Sequence, residues 1–289
     1  FGAWMGVQEG PIFAWIHFFD AHGPVGRWTR PEDRRQKWER DPERLKHFPR
    51  YQRIANITDG RLYQQLYARG VVFSDQQVGA VVAMLKQKKR YDDALIVLVA
   101  DHGEGFEERE LWYDHGTSTH AEQTQIPLIL KLPKNERAGT TDSRLSSLLD
   151  VAPTVLKRVG LPQLPNPDGH PLHLAGKGHT ALYAESSHCK RIPVLNCHPM
   201  GGPGKETSVR DTNHALVSKP RTNGTEVELF DRRTDPLEKS PSKDQPPAGL
   251  TASLSGIQVE RRERAYGPLP NIQAQTDDER MLQQLGYLE

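Results

Sequence analysis

Three short stretches of the chain set carboxylates beside imidazoles. Asp101-His102-Gly103 follows an unbroken apolar run at 94–100, Asp114-His115-Gly116 comes farther along, and Asp20 and His22 close an aromatic run at 11–20. A carboxylate and an imidazole at consecutive positions, as at Asp101 and His102, can both turn toward one cation, and Gly103 lets the backbone bend away behind them. Asp20 and His22 flank the turn Ala21-His22-Gly23-Pro24. The pattern reads as chemistry rather than packing.

Such groups need elements to hold them. The run at 94–100 is rich in Val and Ile and too short for a helix, which predicts a strand buried on both faces inside a parallel α/β sheet. Open α/β sheets place their sites at the carboxyl ends of strands, where Asp101 and His102 fall. Residues 126–130 and 11–20 read as two further strands, and 25–53 as a long charged excursion. Leu62, Leu66, Val78, Val81, Val82 and Leu85 carry helical spacing, with Ser74 and Gln77 matching a capping box. Either one helix spans 61–88 or Gly70 divides it in two. Feeding the strand at 94–100, it makes a βαβ crossover.

Beyond, 145–149 is a strand candidate, Asp150 an N-cap for a helix at 151–159, and Gly160 its end. A Pro- and Gly-rich connection fills 161–178, followed by a strand at 180–184. Residues 214–218 and 226–230 read as an antiparallel pair turning at Thr222-Asn223-Gly224, then a Pro-rich loop, then a terminal helix at 277–285. The expected fold class is α/β: a sheet flanked by helices over 1–178, then a small antiparallel subdomain over 179–289.

The 289 residues are 36% hydrophobic with mean hydropathy −0.69, which predicts long polar loops. Lys and Arg number 38 against 37 for Asp and Glu, a balance that points away from nucleic acid, and no apolar run reaches membrane-spanning length. Cys189 and Cys197 lack any zinc spacing and read as loop residues. Asn56-Ile57-Thr58 and Asn223-Gly224-Thr225 match the glycosylation sequon. The chain opens at Phe1 without Met and soon enters a strand, as if the native start lay upstream, so no compartment is read.

Taken in order, the segments resemble the sulfatase family of the alkaline-phosphatase-like superfamily. His17-Phe18-Phe19-Asp20-Ala21-His22-Gly23-Pro24 is similar to H-x-x-D-P-H-x-P, and Asp101-His102-Gly103-Glu104 to the D-H-G-E of S-D-H-G-E. Asp114-His115-Gly116 with Ile126-Pro127-Leu128-Ile129 resembles D-H-G followed by V-P-L-I. Asp150-Val151-Ala152-Pro153-Thr154-Val155-Leu156 resembles D-x-x-P-T-x-L. Glu228-Leu229-Phe230-Asp231 with Asp235-Pro236-Leu237-Glu238 resembles E-L-Y-D-L-x-x-D-P-x-E, and Leu285-Gly286-Tyr287 the common ending.

The resemblance implies a sulfuric ester hydrolase with an incomplete alkaline-phosphatase-like sheet. It implies that Asp101 and His102 ligate Ca2+ or another divalent cation. His22 would contact the sulfate ester as a candidate general acid, and His115 would bind a sulfate oxygen where relatives carry Lys or His. The implied substrate is a sulfated small molecule or glycan. Family members use a formylglycine made from C/S-x-P-x-R, preceded by a paired-aspartate metal motif; this sequence contains no C/S-x-P-x-R and so no aspartate pair ahead of one. Cys197-His198-Pro199-Met200 mimics the first part, but Gly201 stands where the arginine belongs. The chain is therefore expected to lack the family's first third, to be inactive alone, and to be poorly soluble through an exposed sheet edge.

Two alternatives stand beside this reading. One is a phosphoric ester hydrolase or mutase of the same superfamily, whose Asp–His spacing is wider than Asp20-Ala21-His22. The other is a degenerate, non-catalytic binding module. Among the remaining residues, His17 reads as a packed histidine or one supporting His22, and Asp20 as orienting His22 or capping the turn. Trp112 and Tyr113 are expected to rim the cleft. His120, His188 and His198 are scattered loop residues with no assigned role.

Overall fold

The computed structural model describes residues 5, 10–110, 113–165, 167–172, 178–186, 205–221 and 224–263. Cys189, Cys197 to Met200, Trp112, the turn residues Thr222 and Asn223, and the expected helix at 277–285 lie outside them.

The spine of the first part is α1, Gly60–Gln87, one continuous helix of 28 residues. Its first turn is capped by Asp59, whose carboxylate accepts from the Arg61 amide at 3.1 Å. Leu62, Tyr63 and Leu66 share one face and are wholly buried against Val25, Phe48, Ile57 and Tyr113. Gly70 does not divide the helix. A Cβ there would lie 2.1 Å from the carbonyl oxygen of Asp20, so the glycine serves a close backbone approach rather than a break. Ser74 and Gln77 sit inside the helix, and the capping box suggested by their spacing does not form.

At the carboxyl end of this unit, β1, Ile96–Val99, pairs with β2, Leu128–Lys131, in antiparallel register from Ile96↔Lys131 to Val99↔Leu128. This corrects the expected parallel pairing. The segment at 11–20 runs extended without a strand ladder, so no βαβ crossover forms among the described residues. An apolar run records a demand for burial and says nothing about which strand will satisfy its backbone bonds. Here the demand is only partly met: Phe13 is 75% exposed, Trp15 82% and Ile129 58%.

Residues 145–149 form no strand; Leu148–Asp150 is a 3₁₀ turn leading into α2, Val151–Arg158, which ends before Gly160 at φ +72°. Asp150 marks the start of α2 without capping it through its side chain. Its carboxylate instead accepts from the Ser147 amide at 2.7 Å, the His170 amide at 2.7 Å and His179 Nε2 at 2.8 Å. The Thr154 hydroxyl accepts from the Leu172 amide at 2.7 Å. Aspartate and threonine together thus pin the Pro- and Gly-rich connection onto the helix start.

The last part is a four-stranded antiparallel sheet in chain order: β3, Leu182–Glu185; β4, Thr207–Arg210; β5, His214–Arg221; and β6, Gly224–Asp231. The β5–β6 pair runs in register from His214↔Asp231 to Arg221↔Gly224, longer than its sequence pattern. Neither β4 nor α3, Ala248–Glu263, is foreseen by that pattern. Leu250 and Leu254 of α3 pack on Val209, Leu216 and Leu229 to make the core of this part. The whole is a mixed α/β fold. No helix among the described residues is long and apolar enough to cross a membrane.

Candidate active site

His22 sits on a tight turn closed by its own amide bonding the Phe19 carbonyl at 3.2 Å. The chain then doubles back through the 3₁₀ turn Val25–Trp28 and satisfies the turn's carbonyls from there. The Trp28 indole donates to Asp20 O at 2.9 Å, and the Arg27 guanidinium donates to the carbonyls of Phe19 and, at 3.2 Å, His22. Gly70 of α1 lets the helix close directly on Asp20, so the long helix fixes the height of the His22 turn. Asp20 acts here through its carbonyl. His17, read as a packed or supporting histidine, is exposed and meets the Phe19 ring at 4.0 Å between centroids.

His102 follows β1 on a loop that cannot spare Gly103. A Cβ there would fall 2.0 Å from the Glu122 carbonyl oxygen, and the Gly103 amide bonds Gln123 O at 2.9 Å. The loop carrying His115 is tied to the same place, because Asp114 O accepts from the Gly105 amide at 3.1 Å and from Gln123 Nε2 at 3.2 Å. Both Asp-His-Gly stretches therefore hang from the helical turn Ala121–Thr124.

The outcome is a cluster of three imidazoles from three separate segments. The His102 and His115 rings stack with centroids 4.2 Å apart and planes 19° from parallel, and His22 meets His115 edge-on at 5.1 Å. Tyr51, from the charged excursion, lies over His22 at 6.2 Å. Asp101 stands at the margin with its side chain 61% exposed, its Oδ2 3.7 Å from His102 Nε2. Tyr113, expected at the rim, is instead buried in the core below, stacked on Tyr63 at 4.5 Å.

The ring nitrogens can be assigned chemically. His22 Nδ1 lies 2.8 Å from Gly23 O, and His102 Nδ1 lies 2.7 Å from Gly103 O. A carbonyl only accepts, so in both rings Nδ1 carries the proton and donates, which makes Nε2 the lone-pair nitrogen of the neutral form. Burial pulls the proton affinity of His22 below the usual imidazole value, helped by the neighbouring rings. His115 is shifted the other way. Burial opposes its charge, but the carboxylates of Glu104, Asp114 and Asp101 outweigh that and raise its affinity for a proton. The two neighbouring imidazoles are thus shifted in opposite directions, His22 down and His115 up.

Asp101 and His102 can serve a cation. Two donors each about 2.3–2.6 Å from one calcium ion lie at most about 5 Å apart, and 3.7 Å satisfies that. With Nδ1 committed to Gly103 O, the lone pair of His102 is on the nitrogen nearer Asp101. Among the described residues no group of three or more His, Cys, Asp or Glu is arranged around a single metal position.

Glu104 and His120 carry no role in the sequence reading, where His120 is a scattered loop residue. The Glu104 carboxylate is 8% exposed and reaches His115 Nδ1 at 3.5 Å. His120 is wholly buried, its Nδ1 3.2 Å from Glu238 Oε2, at a junction where Arg210 donates to both oxygens of Glu238 at 2.8 Å. The only sequence signal for Glu104 was its place in the D-H-G-E run; His120 gave none.

A model of the family described as Sulfatase matches residues 3–161, more than half of the chain. The chain belongs to the sulfatase family. Among curated sulfatase relatives, an ulvan-active sulfatase of Formosa agariphila is 36% identical over 87 residues, covering 30% of this chain and 13% of that protein. An N-acetylglucosamine-6-O-sulfatase of Bacteroides thetaiotaomicron is 32% identical over 122 residues, covering 38% of this chain and 22% of the relative. These alignments therefore span less than a quarter of each relative's length. Among solved structures, a phosphonate monoester hydrolase of Agrobacterium radiobacter superposes with a TM-score of 0.64 at 20% identity, over 91% of this chain and 57% of that one. A protein solved with its substrate D-glucosamine-2-N,6-O-disulfate gives 0.53 at 22% identity, over 71% and 42%. These likenesses place the sulfatase chain in the alkaline-phosphatase-like fold.

Proposed function

We propose that this chain supplies the anion- and metal-binding half of a sulfuric ester hydrolase site. The observation that carries the reading is the convergence of His22, His102 and His115, from three segments far apart in sequence, on one partly buried cluster beside Asp101. Packing alone does not need three imidazoles in ring contact with carboxylates on their flank. Asp101 and His102 would hold a divalent cation, calcium by family precedent. The chemistry such a cation supplies is neutralisation of negative charge on the ester oxygens.

In this reading His115, biased toward its cation by Glu104 and Asp114, holds a sulfate oxygen as charge shifts during S–O cleavage. His22, whose burial makes its cation a stronger acid, passes a proton to the leaving oxygen. No residue of the C/S-x-P-x-R kind is present to attack sulfur, so the chain alone is expected to bind and not to turn over. The substrate class is a sulfated glycan or small molecule. Sulfated-sugar relatives support the glycan choice.

Isothermal titration with Ca2+, then p-nitrophenyl sulfate in its presence, tests the proposal. Binding of both, with ester binding lost in His115→Ala and calcium binding lost in Asp101→Asn, is the expected result. Ester binding that survives both substitutions would sink it. Running p-nitrophenyl phosphate and phenylphosphonate beside the sulfate tests the phosphoric ester hydrolase alternative. The short Asp20-Ala21-His22 spacing predicts that sulfate binds tightest.

A further inference from the structure

We infer that Glu104 is a positioning residue that fixes the orientation of the His115 ring, turning Nδ1 inward and Nε2 toward the imidazole cluster. The inference rests on the reading of His115 as an anion-binding group. Glu104 Oε2 lies 3.5 Å from His115 Nδ1, with side-chain exposures of 8% and 12%. The contact is longer than a formed N–H···O bond, as such pairs often are without ligand.

Three observations set this contact apart from an incidental ion pair. First, the two residues are stapled at the backbone, because the amide following Glu104 bonds the carbonyl preceding His115, Gly105 N to Asp114 O at 3.1 Å. A backbone link beside both residues holds the two side chains facing each other. Second, Nδ1 is shielded from solvent, so the remaining exposure of the His115 side chain belongs to its other atoms. Third, Glu104 Oε1 is buried without a hydrogen-bond donor among the described residues. Leaving a carboxylate oxygen unmet costs stability, and a carboxylate kept under that penalty for packing alone would be replaced at little loss by an apolar side chain.

The contact also favours one tautomer. A carboxylate accepts, so Nδ1 carries a proton whether the ring is neutral or cationic, and the opposite nitrogen, Nε2, is the one offered to a ligand. The sequence contains the same arrangement twice more in a cheaper form: His22 and His102 each spend Nδ1 on the carbonyl of the next glycine. His115 is also followed by glycine, but its partner is a charged side chain from another loop. All three imidazoles are thereby presented through the same nitrogen.

Long-range 1H–15N NMR on the chain as it stands, above the titration range of its imidazoles, reads which His115 nitrogen is protonated. The expected spectrum is the Nδ1–H form in the natural sequence and in Glu104→Gln, which keeps an accepting oxygen. Glu104→Leu should convert His115 to a mixture rich in the Nε2–H form and reduce p-nitrophenyl sulfate affinity at least tenfold, leaving calcium binding unchanged. An Nε2–H spectrum in the natural sequence, or an Nδ1–H spectrum that persists in Glu104→Leu, overturns the inference. If Glu104→Leu fails to fold, the natural and Glu104→Gln spectra still decide it. Because the tautomer is read without substrate, an Nε2–H form in the natural sequence refutes the positioning role alone. An intact tautomer with no sulfate binding refutes the functional reading instead.

Discussion

Two glycines on the same helix make opposite predictions. Gly79 is exposed with nothing within 4 Å of a Cβ built on it, whereas at Gly70 that Cβ would stand 2.1 Å from Asp20 O and 2.9 Å from the Trp28 indole nitrogen. Gly79→Ala should gain only the helix propensity of alanine, roughly 1 kcal/mol. Gly70→Ala gains the same amount, but Asp20 must retreat by more than about 1 Å to reach ordinary contact. That breaks the 2.9 Å Trp28–Asp20 bond, worth about 1 kcal/mol, and adds overpacking of about 1–3 kcal/mol. The clash wins: Gly70→Ala should be less stable than the natural chain by roughly 1–3 kcal/mol, and less stable than Gly79→Ala by roughly 2–4 kcal/mol. Urea unfolding checks this through the midpoint, with the slope unchanged. Displacement of the turn should also move the His22 resonances in Gly70→Ala and leave them alone in Gly79→Ala. Equal stabilisation by the two substitutions would mean that α1 does not bear on the His22 turn as described.

Further outcomes can be checked alongside. Gly103→Ala, whose Cβ would meet Glu122 O at 2.0 Å, should cost about 2–4 kcal/mol and weaken calcium binding, read by thermal melting and calorimetry. Burial works to raise the Glu238 carboxyl, yet bonds from His120 and Arg210 overcome it and hold it down at about 2. Because that value lies below the unfolded one, its stabilisation is present above about pH 4.3 and is lost as pH falls toward 2. Glu238→Gln should therefore flatten the acid limb of the stability curve, and an unchanged limb would count against the pairing. Asp150→Ala releases bonds to Ser147, His170 and His179, and should cost about 2–4 kcal/mol in urea unfolding while sparing ester binding.

Much of the site is legible in the sequence because local chemistry suffices to place it. An apolar run ending in Asp-His-Gly puts those side chains at a strand's end whatever the strand pairs with. Hence Asp101 and His102 fall where expected although β1 pairs antiparallel to β2. The long helix announced itself by spacing, and only Gly70 was ambiguous, because propensity records its cost and not the close approach that justifies it. Strand partnership was not legible at 11–20, where hydrophobicity fixes the wish for burial and not its means. Neither was β4, whose Ser208 and Arg210 are polar yet buried, because their partners Thr119 and Glu238 lie elsewhere in the chain. Asp150 kept its place at the head of a helix but exchanged capping for clamping, a choice made by loop residues far downstream.

The helical turn Ala121–Thr124 has two sides, and they answer to different parts of the chain. Gln123 grips both Asp-His-Gly loops, while the adjoining Thr119, His120 and Ala121 are anchored in Glu206 and Glu238 beside the antiparallel sheet. Arg109 crosses the same seam, reaching Glu122 and the carbonyls of Leu237 and Glu238. The turn is thus a rivet through two plates. Charge removed from the far plate, at Arg210 or Glu238, loosens the head of the rivet on which His102 and His115 are hung. Lesions there, remote from His22, His102 and His115, would then be mistaken for active-site mutations in an assay that reads only binding.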